Sequence, residues 1–141
     1  MDKEKRKQLI AIVKARGYAD MASVRVLVTR QEFFEGNDDE GSIGCNLNDH
    51  PGVAAFDDAF RQIEDIDGVA DVYFAITEID ETYDSIWPFT DTAYIVTRLA
   101  PSAFESVLRP LEPDEIAAGT ESFANPPEIP AGSQLIRVWW D

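Results

Sequence analysis

After Lys14 the chain contains no lysine, and the whole sequence holds one cysteine and one histidine. A lone Cys45 cannot form an internal disulfide, and with His50 it supplies only half of a tetrahedral zinc site. No run approaches the roughly 18–20 consecutive apolar residues of a membrane span. The basic N-terminus leads into Leu9–Val13, too short for a signal-peptide core, and then straight into Lys14. A soluble cytoplasmic protein with no membrane association is the expectation. Nucleophile elbows, P-loops and HExxH are missing, as is the Gly-rich turn of a dinucleotide site. The sequence points to no enzyme class and calls for no cofactor and no metal.

What is present is acid. The formal net charge is −15, with 27 Asp and Glu against 12 Lys and Arg. Residues 1–16 hold six cations (Lys3, Lys5, Arg6, Lys7, Lys14, Arg16) against Asp2 and Glu4, a balance of +4, so residues 17–141 carry −19. Such a field repels nucleic acid, whose binding depends on Lys and Arg neutralising phosphates. It accelerates encounter with a basic protein. At 45% hydrophobic and 11% aromatic, the 141 residues are enough for one packed domain spanning 1–141 without metals or disulfides.

Periodicity places a basic helix over 2–16, packed on or flanking the body, with Leu9, Ile12 and Val13 as its apolar stripe and Gly17 where a C-terminal cap belongs. Ser23–Thr29 alternates as a strand, and the pattern then dissolves into a glycine-rich loop after Phe34. Pro51 marks a helix start, with Val53, Phe56, Phe60 and Ile63 at helical spacing up to Gly68. Ala70–Ile79 and Asp91–Leu99 read as two strands of an antiparallel hairpin with a long loop. Ser102 with Glu105 resembles a capping box opening a short helix, and Pro113–Ala118 is read as a second turn-rich helix. The proline-bearing stretch 122–132 reads as an extended surface loop. Gln134–Trp140 is a strand apolar on both faces, hence central in its sheet or covered on both sides, with Trp139 and Trp140 on opposite faces. The expected fold is α+β: a mostly antiparallel sheet of about four strands with helices packed on it, as a single pair of layers.

Three constellations could carry chemistry or recognition. Cys45 and His50 share one loop, but a thiol nucleophile also needs an oriented base; the plainer role for His50 or Asp49 is to satisfy free N–H groups at the helix entrance that follows. Two acidic clusters, Asp38, Asp39 and Glu40, and Glu78, Asp80, Glu81 and Asp84, could offer oxygen ligands to calcium, yet the EF-hand alternation is absent. With Trp87 and Asp91 they read instead as a partner-binding set, since a few aromatic anchors ringed by charge dominate protein interfaces. The competing reading of Trp87 turns it inward to close one end of the core.

The expectation is therefore a non-catalytic binding protein whose acidic surface engages a basic protein partner, itself a monomer or a homodimer. In size, acidity and lack of catalytic motifs the chain resembles the small bacterial immunity proteins that neutralise toxins. That likeness is one of type and transfers no residues. The alternatives are a carboxylate-based divalent-metal protein or hydrolase, and a structural or accessory subunit.

Overall fold

Asp2 opens helix α1 (Lys3–Ala15): its carboxylate accepts hydrogen bonds from the N–H groups of Glu4 and Lys5, satisfying two donors that a helix start otherwise leaves free. At the other end the N–H groups of Gly17 and Tyr18 turn back onto the carbonyls of Lys14 and Val13. The buried stripe of α1 is Arg6, Leu9, Ile10 and Val13. The computed structural model from which this comes describes residues 1–19 and 24–141, so Ser23, the expected first residue of strand one, lies outside the described residues.

Strand β1 (Val26–Thr29) leads directly into α2 (Arg30–Phe34), a helix in residues to which the sequence pattern assigned no element. Its start is a reciprocal cap: Glu32 N–H donates to the Thr29 hydroxyl and Thr29 N–H donates to the Glu32 carboxylate. The short helix delivers two aromatics to the core. Phe33 stacks on Phe74 at 5.4 Å between centroids, and Phe34 meets the same ring edge-on at 5.0 Å. Helix α3 (Val53–Glu64) follows the glycine-rich loop and buries Phe56, Phe60 and Ile63.

Strands β2 (Val69–Glu78) and β3 (Phe89–Thr97) form the expected antiparallel hairpin with its long connection. Irregular pairing between Ala75 and Glu78 bends the end of β2. Past β3, the pairing of Ser102 with Glu105 does not cap a helix. Pro101 starts a 3₁₀ turn, so Ser102 lies inside the turn, and α4 (Glu105–Leu108) begins without a side-chain cap.

Glu115–Ala118 is a strand, β4, where a helix was expected. Glu and Ala favour helix locally, but Glu112 adopts a left-handed conformation (φ 52°) that redirects the chain, and Ile116 packs against the core. Backbone pairing with β5 (Gln134–Trp139) then outweighs propensity. The described residues thus form one antiparallel sheet of five strands, rather than about four, in the order β1-β2-β3-β5-β4, with four helices packed on it. β5 is paired on both sides, as its apolar faces required.

One sheet face, through Val28, Phe74, Ile95, Ile136 and Val138, makes the main core with the helices. The other face carries a smaller cluster of Leu27, Ala75, Tyr94, Val96 and Leu135 under Phe123. Phe123 belongs to the proline-bearing segment 122–132, and its ring meets Tyr94 edge-on at 4.9 Å. That segment covers only part of the second face.

Candidate functional site

The long β2–β3 connection is anchored by one arginine. Arg6 of α1, 6% exposed, donates from Nε to the carbonyl of Ile86 (2.6 Å) and from Nη2 to the carbonyls of Asp80 and Tyr83 (both 2.9 Å). From the opposite side, Asp39 accepts the backbone N–H of Trp87 (3.0 Å) on one carboxylate oxygen and the N–H of Gly41 (2.9 Å) on the other. These bonds draw the two acidic clusters, distant in sequence, to one end of the sheet. They border a cleft of ≈ 440 Å³ lined by Asp39, Cys45, Glu78, Asp80, Ile86 and Phe89.

Many of the acids in that region are already matched. Asp38 meets the N-terminal ammonium at 2.8 Å, Asp84 meets Lys3 at 2.9 Å, and Glu81 pairs with Lys14. The bond from Lys3 holds the Asp84 carboxyl below its ordinary range. Asp80 is lowered too, chiefly because its carboxylate accepts the Thr82 N–H. Among the described residues Glu78 has no cation partner, and Glu40 has only the His50 ring at 4.0 Å. The basic helix therefore neutralises part of the acidic surface and leaves Glu40, Glu78 and Asp80 as its open charges.

Trp87 lines the same cleft but is 1% exposed and closes one end of the core; its indole N–H is buried without a partner among the described residues. Asp91 pairs with Arg25 at 2.8 Å beside the second sheet face. Cys45 is exposed, and both nitrogens of His50 are occupied: Nδ1 accepts the Gly52 N–H at 2.9 Å, and Nε2 donates to the Ile43 carbonyl at 2.7 Å. Thus His50 holds the entrance of α3 and is not placed to act as a base for the thiol. Among the described residues no group of three or more His, Cys, Asp or Glu side chains converges as a metal would need.

A second cleft of ≈ 430 Å³ lies on the partly covered sheet face, lined by Arg25, Thr92, Tyr94, Glu115, Glu121, Ser122, Arg137 and Trp139. None of these was singled out from the sequence, because the strands that carry them are paired only in the folded sheet. The alternation of Leu135, Arg137 and Trp139 on one face of β5 was the available signal.

A family model described as "Uncharacterized protein YfbO family" matches residues 4–138, running from α1 to β5. The chain belongs to the YfbO family. It is 30% identical over 120 residues to the Escherichia coli K12 protein named "Uncharacterized protein YfbO", a match covering 83% of this chain and 84% of that relative. No solved structure matches the chain. The YfbO match takes in the whole of the acidic cleft and all of the second cleft's lining except Trp139.

Proposed function

We propose that this chain is a non-catalytic binding protein whose acidic surface engages a basic protein partner, in the manner of an inhibitor or immunity protein that neutralises a bacterial toxin. The observation carrying the reading is the meeting of the two acidic clusters around one cleft, with Glu78, Asp80 and Asp39 beside the apolar Ile86 and Phe89. The open carboxylates of Glu78 and Asp80 beside apolar side chains suit a protruding basic side chain, whose stem packs while its charge is met. The −19 balance outside the basic helix supports it by steering a cationic partner over distances of about a Debye length.

The experiment is affinity capture on the wild-type chain and on a Glu40→Lys/Glu78→Lys/Asp80→Lys variant, with association kinetics at low and high salt. A basic protein retained by the wild type alone, with an on-rate that falls steeply as salt rises, is the expected result. A partner held equally by the variant, or indifferent to salt, overturns the acidic-surface reading.

A further inference from the structure

The cleft on the second sheet face has a different character. Arg137, from β5, donates through Nε to Glu115 (2.8 Å), again to Glu115 through Nη2, and through Nη1 to Glu121. Arg25 donates through Nη1 alone to Asp91 (2.8 Å) and to the Thr92 hydroxyl (3.0 Å), and its Nε and Nη2 have no partner among the described residues. Two guanidinium groups are thus set against three carboxylates within one wall of the molecule. Tyr94, 2% exposed, supplies a phenol whose ionisation is pushed up by burial and by the neighbouring Glu121 charge, so it stays a neutral hydroxyl. Ser122 adds another hydroxyl at the rim, and half-buried Trp139 lends an indole as lining.

Charge decides which ligand class suits this lining. An anion gains little, because each guanidinium already holds a carboxylate and the surrounding chain is strongly negative. A cation must compete with Arg25 and Arg137 for the same oxygens. An uncharged molecule carrying many hydroxyls faces neither obstacle. Each hydroxyl both donates and accepts, so it can bridge an unused guanidinium N–H to a spare carboxylate lone pair without breaking an ion pair. Its C–H face can cover the Trp139 indole.

We propose that this cleft binds a neutral saccharide, with Arg25, Glu115, Glu121 and Arg137 reading the hydroxyls and Trp139 supporting the ring. The site lies on the other sheet face from the acidic cleft and does not depend on it.

The test is a titration of the whole ¹⁵N-labelled chain with glucose, galactose, N-acetylglucosamine and sucrose, with glucuronate and glucosamine as charged counterparts. The expected result is saturable shifts of the Trp139 indole and of the amides around Thr92, Tyr94 and Arg137. Both Trp139→Ala and Arg25→Gln should weaken binding by about tenfold or more. If Trp139→Ala unfolds, Arg25→Gln decides, since Arg25 is 36% exposed and its loss spares the core. No saturable response to any neutral sugar overturns the proposal. So does undiminished binding by the folded variants, or tighter binding of glucuronate or glucosamine than of the neutral sugars.

Discussion

Asn125 hydrogen-bonds both backbone polar groups of Leu27: the Leu27 N–H donates to its Oδ1 at 2.8 Å, and its Nδ2 donates to the Leu27 carbonyl at 2.9 Å. A side-chain amide thereby does for the outer edge of β1 what another strand would do. The Ala124 N–H extends the cover by donating to the Arg25 carbonyl at 2.9 Å. An edge strand left open pairs readily with other chains, so this plug guards against edge-to-edge association as well as adding stability.

Replacing Asn125 by Ala removes both bonds, leaving the Leu27 N–H unmet and its carbonyl with only the 3.3 Å bond from Arg16 Nη1. The expected loss is about 1–3 kcal/mol in urea unfolding. Concentration-dependent association, followed by sedimentation, should accompany it. A variant as stable as the parent and no more associated contradicts the role given to Asn125.

Arg6 is the second structural tie, and its effect is local. Arg6→Met keeps the apolar stem but strands the carbonyls of Asp80, Tyr83 and Ile86, at a cost of about 3 kcal/mol. Amide exchange should quicken over residues 80–87 more than in β5. Uniform quickening would mean that Arg6 supports the whole fold rather than this connection.

Glu32 makes a pH prediction. Burial opposes its charge but is outweighed by hydrogen bonds from Arg16 and from Thr29, so its folded pKa lies below the ordinary 4.5. A depressed folded value stabilises the native state above the unfolded pKa, and that contribution disappears as pH falls through the folded one. The stability gap between wild type and Glu32→Gln should therefore be constant near neutrality and shrink below about pH 4.5. A gap that widens with acid reverses the sign and refutes the assignment.

Gly44 (φ 64°) has a left-handed backbone conformation, and a Cβ there would lie 2.7 Å from Cζ of the buried Phe56. Gly44→Ala combines backbone strain with overpacking, and about 2–3 kcal/mol of destabilisation is expected by thermal or urea denaturation. Gly132, also at positive φ but with open space around it, is the control and should lose less.

The two buried tryptophans separate packing from hydrogen bonding. Trp140 donates from Nε1 to the Leu111 carbonyl at 2.8 Å, whereas the Trp87 indole N–H has no partner among the described residues. Both lose area on replacement by Phe, but only Trp140→Phe also abandons an acceptor. It should be the more damaging by on the order of 1 kcal/mol in denaturant unfolding.

Much of the fold was legible because it rests on periodicity. The alternation of Val72, Phe74 and Ile76 reported a strand with one face in the core, and Phe56, Phe60 and Ile63 reported a helix doing the same. Helix α2 was readable in principle, since Thr29 and Glu32 stand three apart as a capping box, but five residues give no period to detect. For β4 local chemistry pointed the wrong way: Pro113 and the Glu-Ile-Ala-Ala run suggest a helix, and only the free edge of β5 makes them a strand.

The sequence by itself determined the α+β layering, the covering of both faces or flanks of the C-terminal strand and the split between a basic start and an acidic remainder. These follow from residue order alone, through apolar spacing and charge count. Only the tertiary structure decided which charges stay open. Coulombic neutralisation depends on distance, and Lys3, Lys14 and the N-terminus reach Asp84, Glu81 and Asp38 only once α1 lies against the β2–β3 connection. The same folding step turned Trp87 inward and set Arg25, Arg137 and Trp139 along one cleft, a proximity that pairing of β3 with β5 creates.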